Sequence, residues 1–428
     1  MTILIKNGRV IDPVHNIDQV YDILVENNKI SQVAKNITAS ADTIIDATDK
    51  IVMPGIVDMH VHLREPGRED KETIETGTKA AIKGGVTSLL AMPNTQPVID
   101  CAENVKLLKS IIDKTAEANV FICAAITREQ KGKELADVVK LKKESVVAVS
   151  DDGFSVDNDE LMLQALKKAK EEDILVISHC EDKALSAAGV VNLGIISTRL
   201  GLRGISCASE YKRVQRDLQL AEKAKAHIHI AHVSCKESVD FIAKAKKKGV
   251  KVTAEVTPHH FSLSEESALG FDTNTKMNPP LRSQEDKEAL KDGLKNGIID
   301  AIASDHAPHT ENEKEIEFER AEFGVIGLET ELAVSITELV KTGLLDWLDL
   351  AKKLCLNPAK ILGIDKGTLG VGCDADIIVV SPNKEWVVQK EEFVSKSKNS
   401  AFAGKKLTGC VEYTICNGRI AYKNPDQG

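Results

Sequence analysis

Between residues 56 and 304 the chain repeats one unit eight times: a short apolar run rich in Val and Ile, followed by a stretch rich in Ala, Lys, Glu and Leu. The runs fall at 56–59, 86–91, 120–125, 146–150, 174–178, 228–231, 251–256 and 300–304. A strand that is apolar on both faces must be covered on both faces, which parallel strands achieve when each connection is a helix. Eight such units over roughly 300 residues predict an α/β fold, a (β/α)8 TIM barrel. On rhythm alone an open doubly wound sheet is the rival.

Both ends of the chain have a different pattern. Residues 3–5, 22–25 and 44–46 are short alternating runs separated by Asn-Gly, Asp-Pro and Asn-Asn turn signals, which read as a small antiparallel sheet. Similar runs return at 376–380 and 412–415, and Asn417-Gly418 then turns the chain into 419–422. The expectation is a small β-sandwich domain built from residues 1–54 and 366–428, with the barrel, 55–365, inserted between its halves.

Composition narrows the partners. A formal charge of -9 repels a phosphate backbone, and an aromatic content of 4% leaves few rings for stacking bases, so nucleic acid is not an expected partner. No run of apolar residues is long enough to span a membrane, and the N-terminus lacks the features of a secretion signal. Nine scattered cysteines with no C-x-x-C pair read as reduced thiols of a cytoplasmic protein.

A parallel barrel carries its chemistry on the loops just past the C-terminal ends of its strands. There this sequence has His60 and His62 after the first run, Asp151 and Asp152 after the fourth, His179 after the fifth, His232 after the sixth and Asp305 after the eighth. Residues two apart on an extended segment point the same way, so His60 and His62 can reach one metal ion. A carboxylate can bridge two divalent ions while imidazoles fill the outer positions. Only one of the adjacent aspartates can face inward, and Asp305 could ligate a metal and also move protons. Arg64, Asn94 and Asn278 lie past the first, second and seventh runs; a guanidinium and two amides suit a carboxylate and the edge of an amide-bearing ring.

These residues sit in segments that resemble the amidohydrolase superfamily and, within it, the class I (bacterial-type) dihydroorotases. The segments are Asp58-Met-His-Val-His-Leu-Arg-Glu-Pro-Gly67, Ala91-Met-Pro-Asn-Thr95, Ser178-His-Cys-Glu-Asp182, Thr257-Pro-His-His260, Lys276-Met-Asn-Pro-Pro280, Ser304-Asp-His-Ala-Pro-His309 and Gly327-Leu-Glu-Thr330. The resemblance implies two zinc ions, with His60, His62 and Asp305 on one, His179 and His232 on the other, and Asp152 as the bridge. It implies that Arg64, Asn94 and Asn278 hold substrate, assisted by His309. The implied activity is reversible cyclisation of N-carbamoyl-L-aspartate to L-dihydroorotate in pyrimidine biosynthesis, by a zinc-activated hydroxide with Asp305 as general acid/base. A homodimer is implied as well, and an association with aspartate transcarbamoylase stays open. Related hydantoinases and allantoinases place a carbamylated lysine at the fourth strand, where this chain has Ser150-Asp151-Asp152-Gly153. Those activities, and a metal-free partner of aspartate transcarbamoylase, are the alternatives.

One departure from the family pattern is Glu322, where proline is usual. The stretch 310–324 is long for a strand-to-helix loop and rich in glutamate, and it reads as a mobile lid. Its glutamates should face solvent, and the backbone around Phe323 and Gly324 should meet the substrate.

Overall fold

The computed structural model describes residues 2–425. The N-terminal strands are β1 (Ile3–Asp12), β2 (Ile17–Glu26), β3 (Lys29–Ala34), β4 (Thr43–Asp46) and β5 (Ile51–Pro54). Then follow β6 (Ile56–Val61), β7 (Val86–Ala91), β8 (Asn119–Ala124), β9 (Ala148–Ser150) and β10 (Leu175–Ser178). A two-stranded ribbon, β11 (Val191–Asn192) with β12 (Gly204–Ile205), precedes β13 (Ile228–Ile230), β14 (Val252–Val256) and β15 (Ala301–Ile302). The chain ends with β16 (Ile377–Val387), β17 (Lys406–Cys416) and β18 (Arg419–Lys423).

Every apolar run read from the sequence between 56 and 304 overlaps a strand, and these strands lie side by side in chain order, all parallel, from β6 to β15. The seam between β15 and β6 is joined past the strand ends, where Val61 bridges His306 and the His62 N–H donates to the His306 carbonyl at 2.9 Å. Deeper in the seam the Ser304 N–H donates to the Asp58 carboxylate at 3.1 Å. The sheet therefore closes into a barrel, and the open-sheet rival falls. One apolar cluster takes Met59, Leu90, Cys123, Ala148, Ile177 and Ala301 from β6, β7, β8, β9, β10 and β15, and helix Asn357–Leu362 contributes Ala359 and Leu362 to it. A larger cluster lies between the strands and their helices.

The two ends meet in one eight-stranded sheet ordered β18-β17-β16-β5-β1-β2-β3, with β4 also beside β1. Ile3, Ile5, Ile23, Val25, Ile45 and Val52 share a core with Ile377, Val379 and Ile415. The N-terminal part is mixed, not antiparallel as expected: β1 and β2 are antiparallel, but β4 and β5 run parallel to β1. Alternation of apolar and polar residues identifies a strand but not its direction; here the 35–42 connection carries the chain across to β1, so β4 does not form a hairpin with β3.

The first barrel helix, Ile74–Gly84, opens on a Thr73 capping box and ends at Gly85, whose φ of 87° is left-handed. Gly84 packs so closely that a Cβ there would lie 1.9 Å from the Leu328 carbonyl oxygen. Gly84→Ala should therefore lower stability by about 1–3 kcal/mol through overpacking. Urea unfolding checks this, and an unchanged midpoint would show that the Leu328 segment yields freely.

Candidate metal centre

The side chains expected at the barrel mouth converge. Asp152 Oδ1 lies 3.5 Å from His60 Nε2, 3.4 Å from His179 Nδ1 and 3.3 Å from His232 Nε2, while its Oδ2 is 3.4 Å from His62 Nε2. Asp305 Oδ1 lies 3.1 Å from His62 Nε2 and 3.6 Å from His60 Nε2. All of these residues are buried. Asp151 points away: its carboxylate accepts the Ile126 and Thr127 N–H groups at 2.8 and 3.0 Å and anchors the loop after β8. Of the adjacent pair, then, Asp152 is the one that faces the mouth.

The donor set fits metal. Nitrogen and oxygen ligands about 2.0–2.2 Å from a tetrahedral ion stand roughly 3.3–3.6 Å apart, which matches the spacings above. His60, His62 and Asp305 form one group whose ligand atoms lie within 4.8 Å of one another, and His60, Asp152 and His232 form a second. His60 Nε2, which faces both aspartates, is buried without a hydrogen-bond partner, an arrangement that is costly unless something else satisfies it. The backbone is also held off its usual minima, with φ of 32° at His232 and 47° at Asp305. Such left-handed residues cost about 1–3 kcal/mol each and persist where the surroundings impose them, characteristically at functional sites.

Electrostatics favour charge separation in the cluster. Burial opposes ionisation of Asp152, but the charge of His60 and hydrogen bonds with His179 and His232 hold its carboxyl well below the usual range. Asp305 is likewise held low against burial by His60 and His62. Burial would lower His179, yet Asp152 and Glu181 push it up to about 9. His60, raised by Asp152, Glu255 and Asp305 against burial, and His179 thus favour the protonated form, so a metal ion binding there displaces protons and binds more weakly as pH falls.

Several supporting groups were not singled out from the sequence. His60 Nδ1–H donates to Glu255 Oε1 at 2.6 Å, and His229 Nε2–H donates to the other oxygen of Glu255 at 3.1 Å. Glu255 is fully buried in β14, and although burial raises its carboxyl, the charges of His60 and His229 and their hydrogen bonds together hold it down to about 2. A lone glutamate in the apolar run Val-Thr-Ala-Glu-Val was the signal available. His62 Nδ1–H donates to Asn94 Oδ1 at 2.8 Å, so Asn94 orients a histidine as well as facing the mouth. Asn278 Nδ2 donates to Glu181 Oε2 at 3.1 Å, and the same oxygen lies 3.3 Å from His179 Nε2.

Arg64, at a φ of 62°, pairs with neither Glu65 nor Glu69; its Nε donates to the Pro308 carbonyl at 3.1 Å and its Nη2 lies 3.2 Å from His309 Nε2. His309 Nε2–H donates to the Phe323 carbonyl at 2.8 Å, and Lys71 Nζ donates to His309 Nδ1 at 3.1 Å. Gly324 has a φ of 138°, and a Cβ there would lie 2.8 Å from Ala307 Cβ and 3.0 Å from His309 Nε2. Its N–H donates to the Lys276 carbonyl and its own carbonyl accepts from Lys314 and Asn399. Two expectations for 310–324 need correction. The stretch is not too polar to pack, since Lys314, Phe318 and Ala321 are buried. Nor do all its glutamates face solvent: Glu313 pairs with Arg68 at 2.7 Å and Lys71 at 3.0 Å. Glu311, Glu315, Glu317, Glu319 and Glu322 are exposed.

Partners that orient metal-bound histidines typically contribute 10- to 100-fold in metal affinity. Glu255→Ala should weaken metal retention by about that factor, read by competition with a chromophoric chelator. Unchanged affinity in a folded variant would remove Glu255 from the centre.

The family described as dihydro-orotase-like matches residues 49–238. A dihydroorotase of Elusimicrobium minutum is 55% identical over 424 residues, covering 99% of this chain and 98% of that protein. Dihydroorotases of Geotalea daltonii and a Thermoanaerobacter species are 50% and 49% identical, each over 99% of this chain and over 100% and 98% of their own lengths. Among solved structures, L-hydantoinase from Arthrobacter aurescens superposes with a TM-score of 0.89 at 26% identity, covering 98% of this chain and 95% of that one. No helix among the described residues is long and apolar enough to cross a membrane. With full-length relatives at this identity and a metal-ligand cluster at the mouth of the barrel, the chain belongs to the dihydroorotase family of cyclic amidohydrolases.

Proposed function

We propose that this chain catalyses the reversible cyclisation of N-carbamoyl-L-aspartate to L-dihydroorotate, with two zinc ions held by His60, His62, Asp152, His179, His232 and Asp305. The observation that carries the reading is the position of Asp152, whose two oxygens lie within 3.3–3.5 Å of all four imidazoles. That position supports Asp152 as the carboxylate that would be shared between the ions, and the alternative that the resemblance offers, a carbamylated lysine, has no lysine from which to form at Ser150-Asp151-Asp152-Gly153. Bound there, the metal supplies Lewis-acid polarisation of a carbonyl and acidifies water toward neutral pH.

The chain's own groups do the rest. Both short contacts of Asp305 run through Oδ1, and its side chain keeps 11% exposure toward the mouth. Oδ2 is therefore the atom that takes the proton of the attacking water during hydrolysis and returns it to the leaving ring nitrogen. Arg64 presents its guanidinium to the substrate carboxylate, with His309 against it. Asn94 and Asn278 keep amide N–H groups at the mouth, and Phe323 and Gly324 form the loop edge beside His309. Held this way, the reacting carbonyl stays within reach of attack.

Nine scattered cysteines with no C-x-x-C pair suit a reducing, cytoplasmic setting. A homodimer rests on the resemblance alone. Similarity to hydantoinases favours a second reading, hydrolysis of another cyclic amide. Metal analysis of the purified protein, combined with turnover of dihydroorotate, hydantoin and allantoin, separates the two. Dihydroorotate should be strongly preferred, and preference for hydantoin or allantoin would overturn the proposal. In a second experiment, Asp305→Asn should fold and lose about 100- to 10,000-fold in turnover, the usual contribution of general acid/base catalysis. Near-native turnover with metal still bound would remove Asp305 from proton transfer.

A further inference from the structure

Outside the metal centre, two thiols face each other beside the loop that carries His232. Cys207 is the first residue of the helix Cys207–Ala224, and Cys235 is the N-cap of the helix Lys236–Lys247. Their sulfurs lie within 4.8 Å of each other, with the Glu237 carboxylate equally close. Neither sulfur is in a disulfide. Cys235 Sγ lies 3.4 Å from Glu210 Oε1 and 3.1 Å from Ser238 Oγ, and Cys207 is the more exposed of the two.

Two helix N-termini meet at this point, and each carries a partial positive charge. The buried guanidinium of Arg282 adds another, partly offset by Glu210 at 3.7 Å; it is fixed by Asn192 Oδ1 at 2.9 Å, the Ile205 carbonyl at 2.8 Å and Ser234 Oγ at 3.1 Å. The two N-termini and Arg282 favour a thiolate at Cys207, against the opposing carboxylates of Glu210, Glu237 and Asp286. The adjacent Cys235 thiol and the charge of Arg282 lower the Cys207 thiol against burial, while Cys235, whose Sγ donates to Glu210 Oε1, is raised by Cys207, by burial and by Glu210. One cysteine is thus a poised nucleophile and the other a protonated partner.

We propose that Cys207 and Cys235 are a redox-active pair that a hydroperoxide converts to a disulfide, and that this bond slows the enzyme. The Cys207 thiolate attacks the terminal peroxide oxygen. The O–O bond breaks, Cys207 becomes a sulfenic acid, and the departing alkoxide or hydroxide takes a proton. Cys235 then gives up its proton and attacks the Cys207 sulfur; the S–S bond forms, the S–O bond breaks, and hydroxide leaves with that proton as water. In sum, two thiols and one hydroperoxide yield a disulfide, an alcohol or water, and one further water.

The link to activity is short. Glu210, one turn along the helix from Cys207, accepts the Ser234 N–H at 3.0 Å and the Cys235 N–H at 3.3 Å, so the helix already grips the loop that follows His232. Closing the sulfurs to bonding distance draws this loop toward the helix. Displacement of His232 by even part of an ångström should lower turnover at least about tenfold.

The test treats the full-length, metal-loaded protein with one equivalent of hydrogen peroxide and maps its peptides without reduction, a readout independent of turnover. The expected result is a Cys207–Cys235 cross-link as the main disulfide, with dihydroorotate turnover falling as it forms and recovering with dithiothreitol. Cys207→Ser should keep its basal turnover and resist the same treatment. Overturning results would be a free pair after oxidation, a main disulfide elsewhere, or full turnover with the bond formed. A stoichiometric zinc or cadmium ion bound by the pair and lost in Cys207→Ser would also overturn it, in favour of a metal site.

Discussion

The attraction between two buried carboxylates and the imidazoles around them organises this molecule. Asp152 and Asp305 are taken out of water, a step that costs several kcal/mol per charge unless each charge is compensated at close range. His60 provides much of that compensation, and its Nδ1–H is in turn fixed by Glu255. Removing one member leaves another buried and unpaired. A rigid frame drawing on many separate strands holds such a cluster together.

The barrel seam is part of that frame. The strands β6 and β15 that carry His60 and lead to Asp305 are also the two that must meet for the barrel to close. Their contacts, Val61 with His306 and Ser304 with Asp58, lie just beneath and beside the ligands. Asp58 is fully buried, and burial drives its carboxyl up to about 6 even though it accepts the His60 and Ser304 N–H groups. Closure of the fold and assembly of the centre therefore use the same few residues. A change that loosens the seam should disturb His60, His62 and Asp305 together.

Much of this was legible in the sequence because the signals were local. Apolar runs with helical intervals marked the barrel strands, and polar residues just past each run marked the mouth, so His60, His62, Asp152, His179, His232 and Asp305 could be named before their geometry was known. Between Asp151 and Asp152 the local pattern was silent and the family resemblance chose Asp152; the physical reason is tertiary, since Asp151 turns away to the Ile126 and Thr127 N–H groups after β8. Glu255 escaped because a single acid within a strand carries no spacing pattern, and its meaning appears only when β6 and β14 are brought into one barrel. Strand direction at the N-terminus was hidden for a related reason: alternation is the same for parallel and antiparallel partners.

The loop 310–324 shows where composition misleads. Its glutamates suggested a loose, solvated cover, yet the segment is organised from within by Lys314, whose buried ammonium donates to the Glu322 and Gly324 carbonyls at 2.8 and 3.0 Å. Burial lowers that lysine to about 7, with Lys276 acting in the same direction, and the carbonyl oxygens around it replace part of the water it has lost. Glu322 itself is exposed, its charge opposes the lowering of Lys276 and Lys314, and its N–H donates to the Glu313 carbonyl at 3.1 Å. Proline, usual at this position in the family, cannot make that bond. Relative to the proline that the resemblance leads one to expect, the Glu322 N–H is an added tie, worth about 1 kcal/mol. It joins the loop to the residue whose carboxylate holds Arg68 and Lys71, and Lys71 in turn donates to His309. The segment is therefore coupled to the substrate side of the mouth through backbone and buried charge, a coupling that its surface glutamates conceal.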